Sequence, residues 1–143
     1  VIGVVVAAHG EFAEALIHTA YMVVPASPLV AAVSIHAGEN GDAYTQKLER
    51  KVSEFLEYGG VLILTDMFGG TPCNIGLTLH QPGKVEVLTG VNLPMLIRAV
   101  QLSEHSEDLA SMAREVREAG SRSITVASDV LTPVVEKTKE PRP

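Results

Sequence analysis

The most constraining feature of this chain is its opening run, Val-Ile-Gly-Val-Val-Val-Ala-Ala, apolar at every position and rich in β-branched side chains. A half-exposed strand alternates apolar with polar residues, whereas a strand apolar throughout must be covered on both faces. The run therefore reads as a central strand of a parallel sheet, and parallel neighbours require crossover helices. The rest of the chain supplies them. After His9-Gly10, the residues Phe12, Leu16, Ala20 and Val23 recur at helical spacing until Pro25 and Pro28 break the pattern. Residues 29–36 read as a second strand, and Gly38-Glu39-Asn40-Gly41-Asp42 as a turn with Asp42 as N-cap. Tyr44, Leu48, Val52 and Phe55 form the inner stripe of a second helix, whose other face carries Lys47, Glu49, Arg50, Lys51, Glu54 and Glu57.

Residues 61–65 form a third strand, and Pro72 opens a short helix ending near His80-Gln81-Pro82-Gly83. Residues 85–89 form a fourth strand, and Asn92-Leu93-Pro94 opens another helix. A last helix is predicted over 107–119, with Leu109, Met112, Ala113 and Val116 inward and Gly120 as its stop. Residues 121–128 alternate well enough for a fifth strand. The fold class is thus α/β: an open, doubly wound, mainly parallel sheet with helices on both faces. Residues 1–130 make one domain, and 131–143, with three prolines and mixed charge, a tail or truncated linker.

Composition narrows the function. A chain of 143 residues is one domain, able to bury roughly 70% of its unfolded surface. The net charge of −6 without a basic block removes the usual footprint of nucleic-acid binding. Aromatics at 4%, with no Trp, leave no platform for base stacking. One Cys allows neither an internal disulfide framework nor a Cys-based zinc cage. No apolar run is long enough to span a membrane, and no charged leader precedes an apolar stretch. The expectation is a soluble, reduced, cytoplasmic domain.

In such folds ligands sit at the carboxyl ends of the strands, where chain order reverses across the sheet. Ala8-His9-Gly10, Ile35-His36, Thr65-Asp66 and Thr89-Gly90-Val91-Asn92 stand there. If the first and third strands are neighbours, His9 and Asp66 come within reach of one another. A carboxylate accepting the Nδ1 proton fixes the tautomer and leaves the Nε2 lone pair outward, for a nucleophile, a base or a metal ligand. In Gly69-Gly70-Thr71-Pro72-Cys73-Asn74, Thr71 reads as N-cap and Pro72 as the first helical residue. The amides of Cys73 and Asn74 would then be free donors at a positive helix end, and Gly70 would let the loop approach, making a phosphate cradle. The motif is not a Walker loop, since no Lys-Ser/Thr pair follows the glycines. A nucleophilic His beside such a cradle points to phosphoryl transfer through imidazole.

Each residue also has a plainer reading. His9 could bond to backbone and Asp66 could cap a turn. Cys73 is a small buried filler or, at a helix N-terminus, a nucleophile of lowered pKa. His18 is a surface residue, His36 a structural or rim residue, His80 a partner of its helix dipole, and His105 part of a polar loop.

Taken in order, His9-Gly10, Gly38-Glu39-Asn40, Asp66 through Asn74, and Gly90-Val91-Asn92-Leu93-Pro94-Met95-Leu96 resemble the IIA domain of the mannose-type bacterial phosphotransferase system. The resemblance spans about residues 1 to 130. It implies a histidine phosphoryl carrier, a transferase component in which His9 takes phosphate from HPr and gives it to a IIB component for sugar uptake. Asp66 would hold the His, and Thr71 would help cradle phosphate. The family fold implies a homodimer exchanging an antiparallel last strand, no metal or organic cofactor, and at most peripheral contact with membrane IIC and IID components. Thr71 stands where many relatives have Ser, and Cys73 where a larger residue is common. With no IIB sequence after the tail, a separate IIB chain is expected.

Three other readings compete. A receiver domain phosphorylated on Asp66 would need an acidic pair after the first strand, where this chain has Ala7-Ala8-His9. A dihydroxyacetone-kinase phosphotransfer subunit shares the fold and active His but not the Gly-Gly-Thr-Pro loop. A regulatory phospho-acceptor domain would use the same His site.

Overall fold

In the computed structural model, which describes residues 1–131, four strands are interleaved with helices, the last strand being followed by two helices and a short helical segment at 127–131. In chain order they are β1 (Ile2–His9), α1 (Phe12–Ala20), β2 (Val30–Ile35), α2 (Gly41–Leu56), β3 (Gly60–Thr65), α3 (Thr71–Thr78), β4 (Val85–Thr89), α4 (Leu93–Ser103) and α5 (Leu109–Arg122). The sheet is parallel throughout, in the order β2-β1-β3-β4. The first crossover moves outward from β1 to β2, and the next returns across β1 to β3. The switch point therefore lies between β1 and β3, the strands that end in His9 and lead into Asp66.

β1 explains why its sequence is apolar at every position. Ile2 through Ala8 are all buried. Val4, Val6 and Ala8 join one core layer with α1, α4 and α5, while Val5 and Ala7 join a second with α2. Gly3 interrupts the strand for a packing reason: a Cβ there would lie 2.7 Å from Phe55 Cδ2, far inside carbon contact distance. On α2, Tyr44, Leu48, Val52 and Phe55 are buried as their spacing demands. The Tyr44 hydroxyl donates to the Val33 carbonyl at 2.8 Å, satisfying a polar atom inside an apolar layer.

Several boundaries differ from the sequence reading. The inward stripe of α1 is Ala13, Leu16, Ile17 and Ala20. Phe12 at the helix start is 43% exposed, and Val23 lies beyond the helix. Asn40, not Asp42, caps α2, accepting the Asp42 N–H at 2.7 Å. Gly120 does not stop α5; it is buried inside it. A Cβ at Gly120 would sit 2.7 Å from Met95 Sδ, so the glycine is there for close approach of α4 rather than for a turn. Asn92 caps α4 as expected, accepting the Met95 N–H, and also donates from Nδ2 to the Gly120 carbonyl.

The fifth strand expected over 121–128 is absent from this chain. Ser121 and Arg122 complete α5, Ser123 is its C-cap, and 127–131 are helical. A strand needs a neighbour to satisfy its backbone groups, and here α5 carries the chain out into solvent, with Ile124 78% and Val126 64% exposed. Of the expected tail at 131–143, all but Leu131 lies outside the described residues.

Candidate functional site

β1 and β3 pair from Ile2↔Gly60 through Ala7↔Thr65, so the two chain ends emerge side by side at the switch point. His9 closes β1 and Asp66 follows β3. The Asp66 carboxylate reaches across and takes three hydrogen bonds. Its Oδ2 accepts the His9 backbone N–H at 3.0 Å and stands 2.7 Å from His9 Nδ1, while Oδ1 accepts the Met67 N–H at 3.0 Å. Partial burial raises the Asp66 carboxyl, but the two hydrogen bonds from His9 and the attraction of its ring outweigh that and hold it below the ordinary value of 3.8. An ionised carboxylate can only accept, so Nδ1 carries a proton, and in the neutral ring the lone pair is on Nε2.

Nε2 faces the start of α3. An imagined Cβ on Gly70 would lie 2.7 Å from His9 Cε1 and 3.4 Å from Nε2, so the bare glycine is what leaves the ring its place. Gly69 turns the loop at φ +84°, a conformation that favours glycine. The Asn74 side chain pins this turn by donating to the Gly69 carbonyl at 3.2 Å. With His9 47% exposed and Asp66 17%, the site is an open edge rather than a closed cavity.

Two details of the loop into α3 differ from expectation. The N-cap of α3 is Gly70, and Thr71 is the first helical residue, because the backbone turns helical one position earlier than the Thr-Pro pair implied. The Asn74 amide is not free. It donates to the Gly70 carbonyl at 2.8 Å and closes the first helical turn, which leaves the N–H groups of Thr71 and Cys73 without an acceptor inside the helix. Cys73 is fully buried, as a filler would be.

The remaining histidines stand apart. His36 and His18 line an open groove of about 600 Å³ between α1 and the end of β2, with Glu11, Glu14, Ala15 and Thr19. His80 lies 3.3 Å from Glu86, and His105 is exposed. Among the described residues no three His, Cys, Asp or Glu side chains gather as a metal-binding set. Glu39, quoted in the sequence only as part of a turn, has a structural task. It accepts the His36 N–H at 2.9 Å and pairs with Lys47 at 2.9 Å, tying the end of β2 to α2. Spacing on a helix placed Lys47 on a solvated face; nothing local revealed that its ammonium also reaches the Ser34 carbonyl at 2.8 Å.

Residues 3–117 match the family model described as the PTS system fructose IIA component. The chain belongs to this IIA family of the bacterial phosphotransferase system. It is 28% identical over 142 residues to the PTS system fructose-specific EIIA component of Bacillus subtilis, covering 99% of this chain and 97% of that one. It is 28% identical to the PTS system mannose-specific EIIAB component of Escherichia coli over 86% of its own length but only 39% of that longer protein. Among solved structures, the phosphotransferase system component EIIA from Streptococcus agalactiae superposes with a TM-score of 0.82 at 27% identity, covering 90% of this chain and 99% of that one. As a IIA component, the chain takes part in the phosphoryl transfer that serves sugar uptake. Among the described residues, no helix of this IIA domain is long and apolar enough to cross a membrane.

Proposed function

We propose that His9 is the phosphoryl carrier of this IIA domain, loaded by phosphorylated HPr and unloaded onto a IIB component. The observation that carries the reading is the 2.7 Å contact between His9 Nδ1 and Asp66, which leaves Nε2 as the ring's nucleophilic atom. Nε2 attacks phosphorus as the P–N bond to the donor imidazole breaks, and the donor leaves with the electron pair. Asp66 stabilises the positive character that builds on the ring. The N–H groups of Thr71 and Cys73, the Thr71 hydroxyl and the positive end of α3 stabilise the phosphoryl oxygens. Gly70 and Asn74 shape that cradle. Transfer to IIB runs the same steps in reverse, with no metal or organic cofactor taking part.

Incubation with phosphoenolpyruvate, enzyme I and HPr is expected to add one phosphoryl group, acid-labile and base-stable, which mass spectrometry places on His9. Phosphate on His36, Asp66 or Cys73, or undiminished labelling of His9→Ala, overturns the assignment.

The same reading makes residues 1–130 the functional domain and pairs two copies. β4 is an edge strand, and after α5 Ile124, Val126, Val130 and Leu131 are each more than half exposed. An open edge and an uncovered apolar segment are each a liability that pairing removes. In the exchange, residues 121–128 would give up the helical ends they have in the single copy and lie as an antiparallel strand on β4 of the other. Light scattering at micromolar concentration should give a dimer, and removal of residues 124–143, which spares α5, a monomer. A wild-type monomer, or a truncated chain that still dimerises, refutes the exchange.

A further inference from the structure

Beside His9 the loop after β3 exposes two large apolar side chains, Met67 at 55% and Phe68 at 75%. Neither serves the core, and neither can hydrogen-bond phosphate. Their backbone is nonetheless held in place. Asp66 Oδ1 takes the Met67 N–H at 3.0 Å, Asn74 Nδ2 holds the Gly69 carbonyl at 3.2 Å, and the Asn74 amide holds the Gly70 carbonyl at 2.8 Å. Phe68 lies between these fixed points. An exposed ring on a pinned loop loses little conformational freedom when something covers it, which is how an interface anchor is built.

What covers it follows from the position of the reacting atom. The Cβ position of Gly70 that lies 2.7 Å from His9 Cε1 also lies 3.3 Å from Met67 Cγ, so Met67 and the imidazole border one small space. In-line transfer requires the donor's phosphorus within about 3–3.5 Å of Nε2. A protein that brings a phosphorylated side chain that close lies against Met67, and against the ring that follows it. Phe12, 43% exposed at the start of α1, stands at the same sheet edge three residues after His9. A small phosphate donor has no apolar surface to set against these residues; a carrier protein does.

Resting on the reading of His9 as carrier, we propose that Phe68 is the docking anchor of this site. It inserts into an apolar surface surrounding the phosphorylated residue of the donor protein, with Met67 as the wall that shields the reacting imidazole from water. This surface selects protein donors over small ones without contacting the transferred group.

The test compares two donors. Phosphoramidate labels His9 directly: the Nε2–P bond forms, the P–N bond of the donor breaks and ammonia leaves. Phosphorylated HPr must dock first. Phe68→Ala should lower kcat/KM for phosphorylated HPr about tenfold to a hundredfold, carried by KM, the range expected for uncovering one aromatic side chain. Labelling by phosphoramidate should stay within twofold of wild type, and Phe68→Leu should recover most of the loss. Unchanged transfer from phosphorylated HPr in Phe68→Ala overturns the proposal. So does an equal fall with both donors, which would make Phe68 a support of the site. If wild type is labelled on His9 by neither donor, the carrier assignment fails, and the docking surface with it.

Discussion

Adjacent glycines in the loop before α3 should respond to the same substitution in opposite ways. At Gly70 the backbone, φ −77° and ψ 168°, is open to any residue, so alanine brings no backbone strain. The cost is steric. A Cβ 2.7 Å from His9 Cε1 is about 1 Å inside the contact optimum for two carbons. The ring cannot slide away, because Asp66 Oδ2 holds both its Nδ1 at 2.7 Å and the His9 backbone N–H at 3.0 Å. Relief comes from turning the ring, which gives up the Nδ1 bond, or from withdrawing the loop that carries the α3 donors. A hydrogen bond to a charged group contributes about 1.5–3 kcal/mol, so transfer to Gly70→Ala should fall about ten- to a hundredfold. Stability should hardly change, since replacing glycine in a compatible conformation restricts the unfolded chain by about 0.4–1 kcal/mol and offsets the local clash. At Gly69 the situation reverses. Its φ of +84° disfavours a side chain, but no atom lies within 4 Å of a Cβ there. Gly69→Ala should lose about 1–2 kcal/mol of stability, roughly 3–6 °C in Tm, and keep most of its transfer rate. Quenched-flow transfer from phosphorylated HPr and thermal melts by circular dichroism would separate the two. Gly70→Ala transferring at the wild-type rate would show that the glycine does not set the ring's position.

For Asp66, transfer rates should run wild type, then Asp66→Asn, then Asp66→Ala, with about one to two powers of ten between the extremes in the same assay; equal rates would reduce Asp66 to a turn residue. Because the folded Asp66 carboxyl lies below its ordinary value of 3.8, its contribution to stability is present above that pH and is lost as pH falls through the lower folded value. The gap in Tm between wild type and Asp66→Asn should therefore be full at neutral pH and close only in strong acid, read by melts from pH 7 to 2. At the buried α4–α5 contact, Gly120→Ala should cost about 1–3 kcal/mol in denaturant unfolding as Met95 is displaced, with transfer unaffected in the fraction that remains folded.

Several of these positions were legible in the sequence. The all-apolar β1 announced a buried central strand, the helical stripe of α2 named its core residues correctly, and His9 and Asp66 stood at strand ends where parallel topology gathers ligands. The loop before α3 was marked by paired glycines ahead of Thr-Pro. Helix ends were less readable: Asn40 displaced Asp42 as cap, and Gly70 displaced Thr71, because a cap is decided by which backbone N–H a side chain or turn can reach. Gly120 looked like a helix stop and proved to be a contact point. A glycine means absence of a side chain, and only the neighbouring helix determines whether the space serves a turn or Met95.

By itself, then, the sequence determined the alternation of strands and helices, because periodicity and punctuation are local and each element must bury its own apolar face. It determined as well that a histidine and a carboxylate would stand at strand ends. Tertiary structure alone decided that β1 and β3 are neighbours, so that residues 57 positions apart share a hydrogen bond of 2.7 Å. It also decided that Gly70 meets the imidazole and that Glu39 and Lys47 tie down the end of β2. Strand order, register and close approach are set by how whole faces pack against one another, and no short stretch of sequence carries that information. The segment after α5 marks the boundary most clearly. Its alternation of apolar residues is a strand signal, but a strand exists only where another strand's edge completes its hydrogen bonds, and among the described residues of one copy no edge reaches it.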